Sequence, residues 1–277
     1  MGLGLGVGLS GCMAPNPIGA PLPNPRRNDR YPLDRPLTPM RSALANHAYL
    51  ELSSRRDDVH AHAGKLRLSP WTLRVDGAVQ HPQTFDLDAL IRADRLEERP
   101  YRVRSDEGWS MTIPWVGMPL SRVLHAVQPL GSARFVRFVS LADPEQMPNL
   151  RALPGGDPYH EALTLAEAMH DLTLLAVGAY GRTLIPAAGA PIRLVVPWKY
   201  SFKNLKALVH IQVTEEEPPS FWATHAPQHR SWKANVMPRR SGVFAPTVTE
   251  RLLPTGERVP TRPYNGYGPW VAGLYPP

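Results

Sequence analysis

The chain has 277 residues, 43% of them hydrophobic, which is enough to bury one sizeable core. Its 31 Lys and Arg against 24 Asp and Glu leave a formal charge of +7, too modest for a dedicated nucleic-acid-binding arm but compatible with an anion pocket. The 32 Pro and 21 Gly disfavour an all-helical bundle, and the single cysteine, Cys12, rules out an intramolecular disulfide, a multi-cysteine zinc site and an iron–sulfur cluster.

The chain opens on an apolar, small-residue run that ends Leu9-Ser10-Gly11-Cys12 and resembles a bacterial lipoprotein cleavage box. On that reading residues 1–12 are a signal remnant and Cys12 carries a lipid that is the chain's only link to a membrane. The plainer alternative is an unstructured tail with one Cys; the run is too short to span a bilayer as a helix. Residues 13–45 follow as a proline-rich tether. Eight prolines between Pro15 and Pro39 keep this segment extended, either standing off the domain or wrapping along it. The domain itself is expected over 46–277, with an irregular tail from about residue 218.

Within it, Trp71 to Gly77 alternates and ends on a turn residue, which predicts a strand. Leu87 to Leu96 predicts a short amphipathic helix and Pro100 to Arg104 a second strand. Leu120, Val123, Leu124 and Val127 stand at helical spacing within Pro119 to Val127, and Phe135 to Ser140 has strand texture. Leu163 to His170 predicts a helix. The β-branched runs Ile192 to Val196 and Leu208 to Val213 predict two more strands. This mixture predicts an α+β chain. Beyond Pro218 periodicity vanishes, which predicts a segment draped over the domain.

No dinucleotide fingerprint, phosphate loop or serine-hydrolase elbow is present. His60 and His62 beside Asp57 and Asp58, and His225 with His229, have metal-binding side chains but no convincing frame, so they read as solvated loop histidines. Lys199 to Lys206 is more suggestive. A basic loop between two strands places ammonium groups and backbone N–H donors around a phosphate, although a plain exposed loop is equally open.

Six blocks together carry an identity: Arg102 to Ser110, Pro114 to Leu120, Pro144 to Pro148, Glu167 to Met169, Gly189 to Tyr200, and Asn265 to Tyr267. In order and spacing they resemble the sulfite-oxidase-fold molybdopterin oxidoreductases, most closely the branch of bacterial periplasmic protein-methionine-sulfoxide reductase catalytic subunits, over roughly His47 to Tyr275. The resemblance implies a single sulfite-oxidase-type domain of mixed β-sheets with short helices. It also implies one molybdopterin, with molybdenum held by the pterin dithiolene and a protein cysteine. Ser105 occupies that cysteine's position. A thiolate is a soft donor and an alkoxide a hard one, so ligation by Ser105 would alter the metal's potential. By the same resemblance Glu51, Ser140, Arg193, Lys203, Asn204, Leu205 and Lys206 contact the cofactor, and Glu107 stands at the open metal position as a proton donor. Four further positions depart from the family pattern: His47 for asparagine, Leu50 for tyrosine, Ala188 for asparagine and Asn204 for glycine.

Two functions stay open on this basis. In the first, molybdenum-cofactor binding is altered or lost and the domain serves as an extracytoplasmic binding module. In the second, Ser105 or solvent completes the molybdenum sphere of an active sulfoxide-reducing oxidoreductase, supplied with electrons by a haem-bearing membrane subunit. Neither has a nucleic-acid partner.

Overall fold

Burial on both faces of one long hairpin sets the architecture. The computed structural model describes residues 19–23, 25–91, 96–228, 230–239 and 247–275. Strand β1 (Arg26–Arg27), helices α1 (Met40–Leu44) and α2 (Arg56–Ala63), strands β2 (Thr72–Gly77) and β3 (Gln83–Asp86) and helix α3 (Leu87–Leu90) lead to the central hairpin, β4 (Glu97–Arg104) and β5 (Trp109–Pro119). Next come α4 (Leu120–Val127), β6 (Phe135–Ser140), β7 (His160–Thr164), α5 (Leu165–Met169), β8 (Leu174–Ala179), β9 (Arg182–Thr183), β10 (Arg193–Val195) and β11 (Leu208–Thr214). The chain closes with α6 (Phe221–His225), β12 (Thr249–Leu252), β13 (Arg258–Pro260) and α7 (Gly268–Val271). The fold is α+β.

All residues of β5 are buried. One edge pairs antiparallel with β4 from Gly117 opposite Glu97 to Ser110 opposite Arg104. The other edge is divided: Trp109 and Ser110 pair parallel with β12, while Trp115 to Pro119 pair antiparallel with β8, which in turn carries β9 and β10. A second sheet has the order β3-β2-β11-β6-β7. In β2 the inward residues Leu73 and Val75 alternate with outward Thr72 and Arg74, as a strand with one wet face requires.

The strands expected at 100–104, 135–140, 192–196 and 208–213 and the helix at 119–127 are all present within a few residues. The helix expected over 87–96 is a single turn. Asp86 caps it by accepting from the Ala89 amide at 3.0 Å, and Ile91 already leaves helical geometry; residues 92–95 lie outside the described residues. The helix expected over 163–170 begins only at Leu165, because Thr164 and Glu167 form a capping box that ends β7 at Thr164. Strands β5 and β8 carry no alternation and were not predicted, as befits strands covered on both faces. The tail after Pro218 is not merely draped, since β12 and β13 extend the larger sheet.

The proline-rich segment, as far as it is described, wraps the domain. β1 pairs parallel with the start of β4, and Thr38 exchanges two 2.9 Å hydrogen bonds with Thr112 of β5. Cys12 and the expected signal remnant lie outside the described residues. Among the described residues no helix is long and apolar enough to cross a membrane.

Buried charges tie the last residues to the core. Lys199 Nζ lies 2.6 Å from Glu167 Oε1 and also donates to the Lys233 carbonyl and to Asn235. The Tyr275 hydroxyl bonds the same carboxylate and accepts from Trp198 Nε1 at 2.7 Å. Burial lowers the Lys199 pKa to about 8 even with Glu167 beside it. Glu167→Ala therefore leaves a buried ammonium uncompensated and is expected to cost about 3–5 kcal/mol in denaturant unfolding, whereas the paired replacement Glu167→Leu with Lys199→Met costs clearly less.

Candidate functional site

The turn joining β4 to β5 presents Ser105. The Ser105 amide donates to the Trp109 carbonyl at 2.9 Å, the Gly108 amide donates back to the Ser105 carbonyl at 3.2 Å, and Gly108 has φ +95°, a conformation that favours glycine. Ser105 Oγ accepts from the Glu107 amide at 3.1 Å. The side chain thereby faces a cavity of about 260 Å³, walled by the 46–56 segment, the β4–β5 hairpin, Arg193, the 201–206 loop and the tail at Trp222 and Arg230.

The inner wall is cationic. Arg193 lies in β10, 7% exposed, with its Nη atoms donating to the Ala188 carbonyl at 2.7 Å and the Asn204 carbonyl at 3.0 Å. Its guanidinium stacks on Trp115 at 4.9 Å, and burial lowers its pKa to about 10. Lys206 passes over Gly189, where a Cβ would stand 2.5 Å from the lysine stem. Its Nζ bonds the Ala48 carbonyl and sits 4.9 Å over the Tyr49 ring. Burial first, then the Arg193 charge, depress the Lys206 pKa. Glu51 opposes these cations: burial pushes its carboxyl up, while Lys206 and a 3.0 Å bond from Ser140 Oγ pull it down. His47 is kept neutral by burial and then by Lys206, His60, Arg193 and Arg56.

The rim has two similar stacks. Arg56 pairs with Glu107 and lies 5.5 Å over Trp109, whose Nε1 also donates to Glu107 at 3.3 Å. Opposite, Arg230 pairs with Asp106 at 2.8 Å and lies 3.9 Å over Trp222 and 5.5 Å over Phe202.

Of the residues expected at the site, Ser105, Glu107, Glu51, Arg193, Asn204 and Lys206 line this cavity. Ser140 is not a lining residue and reaches the wall only through Glu51. Lys203 turns away into a fully buried ion pair with Glu161 at 2.8 Å and donates to the Ala162 carbonyl at 2.9 Å. Leu205 belongs to the core, and its carbonyl accepts from the Leu194 amide. These two are structural here because the turn over Ser201–Lys203 and the residues after it send the Lys203 and Leu205 side chains into the core and leave Ser201, Phe202, Asn204 and Lys206 at the cavity.

The apparent losses shrink on inspection. Asn46 and Tyr49 line the cavity together with His47 and Leu50, so an amide and a phenol stand next to the two positions expected to depart from the family pattern. The Asn204 side chain folds into its own loop, its Oδ1 accepting from the Val196 amide at 2.8 Å. Ala188 remains a real departure; it borders a smaller neighbouring hollow. Sequence reasoning also missed Arg56, Trp222 and Arg230, which lie in segments with no motif. His60 and His62 belong to helix α2 instead of a loop, and His60 Nε2 donates to the Leu44 carbonyl at 3.0 Å. His229 lies outside the described residues, among which no group of three or more His, Cys, Asp or Glu could hold a metal.

Four buried polar atoms of lining residues have no hydrogen-bond partner among the described residues: His47 Nε2, Tyr49 Oη, Trp115 Nε1 and Arg193 Nε. Buried donors are normally satisfied, so their clustering with two cations at one cavity marks a place for a polar, anionic group.

Comparison with known proteins agrees with this geometry. A family model described as oxidoreductase molybdopterin binding domain matches residues 60–222. The protein-methionine-sulfoxide reductase catalytic subunit MsrP of Burkholderia mallei (strain ATCC 23344) is 39% identical over 274 residues, covering 98% of this chain and 82% of that protein. Among solved structures, the sulfane dehydrogenase SoxCD of Paracoccus pantotrophus aligns with a TM-score of 0.49 and 16% identity, over 72% of this chain and 46% of its own.

The raised Glu51 carboxyl sets a pH signature. A folded-state pKa above the unfolded one means that the native protein holds this proton longer, so this group's contribution to stability falls as pH rises above the ordinary glutamate range. Glu51→Gln mimics the protonated form. Its melting temperature relative to wild type should climb between about pH 4 and pH 7; a constant difference would mean that Glu51 titrates normally.

Proposed function

The chain belongs to the molybdopterin-binding oxidoreductase family, and from that premise we propose that it is an extracytoplasmic sulfoxide reductase of the methionine-sulfoxide type, with Ser105 as the protein's ligand to molybdenum. The observation that carries this reading is the conjunction at one cavity of the Ser105 hydroxyl, the Arg193 and Lys206 cations and the unpaired buried donors. The residues present fit a phosphorylated pterin. Arg193 and Lys206 would hold its phosphate, and Asn46, His47, Tyr49 and Trp115 would meet its polar edge. When bound, the group supplies two-electron oxygen-atom transfer.

The chain's own residues bind, orient and move protons. Ser105 Oγ accepts one hydrogen bond in its turn, and its own proton must leave before the oxygen can serve as a metal ligand. Removing a sulfoxide oxygen as water consumes a pair of protons. Glu107 stands at the mouth to relay them, and it must loosen from Arg56 and Trp109 to do so. The indole faces of Trp109 and Trp222 offer apolar contact to the sulfur and its methyl group. Electrons come from a separate haem-bearing membrane subunit, in keeping with the relative's name as a catalytic subunit. Lipidation of Cys12 would hold the domain beside that donor.

One observation favours a second reading, a cofactor-free anion-binding module. The methyl group of Ala188 supplies neither donor nor acceptor to a pterin. Production in cells that synthesise molybdopterin separates the two. Pterin and molybdenum should be present in stoichiometric amounts, and reduced-dye assays should show sulfoxide reduction. Arg193→Ala should lower pterin retention about tenfold to a hundredfold, the loss of a charged hydrogen-bonding group. Ser105→Ala should retain pterin and lose activity. Well-folded protein without pterin overturns the proposal and leaves the binding module.

A further inference from the structure

The turn that carries Ser105 also carries two consecutive acids, and each meets an arginine from a remote part of the chain: Asp106 meets Arg230, and Glu107 meets Arg56. The two pairs differ in burial. The side chains of Arg56 and Glu107 are 34% and 46% exposed, whereas those of Arg230 and Asp106 are 13% and 18% exposed. Water screens the first pair, and such rim pairs contribute little. The second is shielded and acts through two donors, Nε and Nη2, both 2.8 Å from Asp106 Oδ2. The Arg230 guanidinium is also fixed in orientation by the Trp222 face at 3.9 Å.

We infer that Arg230 is a positioning residue that acts through Asp106 to fix the Ser105 hydroxyl against the cavity. The turn's own hydrogen bonds leave one freedom. They join Ser105 to Glu107, Gly108 and Trp109, Arg104 bonds the Ser105 carbonyl, and the Gly108 carbonyl accepts from the Arg251 amide at 2.8 Å, so the far side of the turn is tied to β12 while the apex at Asp106 is held through its side chain. The freedom left to restrain is therefore that of the Ser105–Glu107 side of the turn against its anchor on β12. Arg230 is anchored by its own amide to the Ala226 carbonyl at 2.9 Å, just beyond helix α6, and ties the turn to a different layer of the fold. Its effect on Ser105 is indirect: with Asp106 held, the Glu107 amide stays directed at Ser105 Oγ. Arg56, more exposed and bound to a flexible glutamate, closes the rim but does not set this geometry.

The inference rests on the proposed role of Ser105 only for its importance to chemistry, and its test does not need the cofactor. Hydrogen–deuterium exchange on cofactor-free protein reads the amides of residues 105–109 directly, with the melting temperature measured in parallel. In Arg230→Gln, exchange across these amides should quicken about tenfold, as expected for the loss of one shielded, charge-assisted contact, while exchange in β6 and β11 stays unchanged. Asp106→Asn should reproduce the effect from the other partner, Arg230→Lys should restore part of the protection, and Arg56→Gln should change it little. In protein carrying pterin, Arg230→Gln should retain the pterin yet alter the molybdenum(V) electron paramagnetic resonance signal.

Unchanged exchange at 105–109 in both Arg230→Gln and Asp106→Asn overturns the inference, even if the protein loads molybdopterin normally. Faster exchange in protein that never loads leaves the inference standing and removes the proposed reductase. Should Arg230→Gln fail to fold, Asp106→Asn and Arg230→Lys decide the question. An equally large effect from Arg56→Gln also overturns it, because the rim as a whole would then hold the turn.

Discussion

A guanidinium withdrawn from water must be neutralised where it lies, and strand β4 withdraws three. Arg99 meets Glu97 and Asp171, Arg102 meets Asp34, and Arg104, fully buried, meets Glu250 at 3.1 Å. Glu250 also accepts from Arg35 at 2.7 Å and from Ser110 at 3.2 Å. The acids for Arg102 and Arg104 come from opposite ends of the chain, Asp34 from the proline-rich segment and Glu250 from β12. Breaking either contact would strand a buried charge at a cost of several kcal/mol, far above that of an exposed pair. The terminal segments are thus bound to the domain by electrostatics as well as by strand pairing. The hairpin they grip is the one whose turn carries Ser105, so the position of the site depends on charges supplied from both ends.

The cavity inverts this logic. Around β4 each cation has its acid, whereas at the inner wall Arg193 and Lys206 face each other's field with Glu51 as the nearby counter-charge. Burial and mutual repulsion pull the Lys206 pKa down, Arg193 falls to about 10 through burial, and His47 is held neutral. A folded chain that tolerates such repulsion is destabilised locally and gains when an anion arrives. Binding a phosphate there would restore the cations' ordinary proton affinity and satisfy donors that now lack partners.

How much of this was legible in the sequence follows from which forces leave a local trace. Alternation marked β2 and helical spacing marked α4, because each buries one face against one layer, while composition alone, β-branched runs, marked β10 and β11. β5 and β8 are buried on both faces and so lost the period that announces a strand. The capping box at Thr164 and Glu167 was visible as residues, but the apolar count across it favoured a longer helix. At the site, Ser105, Glu107, Arg193 and Lys206 were found through the blocks around them. Lys203 and Leu205 were included because neighbours in a loop look equivalent until the backbone assigns them opposite directions. Asn46 and Tyr49 were missed because only the fold shows which side chains of their segment line the cavity. Arg56 and Arg230 left no trace at all, since ion pairs across 51 and 124 residues are properties of the tertiary structure.

On the proposed reading, with Ser105 at the position of the family's cysteine ligand, two properties that the family joins come apart. Capture of a phosphorylated pterin depends on charge and on donors distributed around the cavity, and one ligand atom contributes a small share of that total. Electron transfer depends on the donor atom itself. A hard alkoxide places more localised negative charge on the metal than a polarizable thiolate and moves its potential accordingly, so position 105 governs reactivity more than occupancy. Because an oxygen ligand must also lose a proton that a serine holds tightly, its geometry matters more than a thiolate's would. A hydroxyl held in a fixed orientation towards a metal is pre-organised to lose its proton there, and one that must first be oriented pays for it. On that reading the demands placed on the turn would be stricter in this chain than in a relative with cysteine, and the shielded pair formed by Arg230 and Asp106 lies where such a demand would be met.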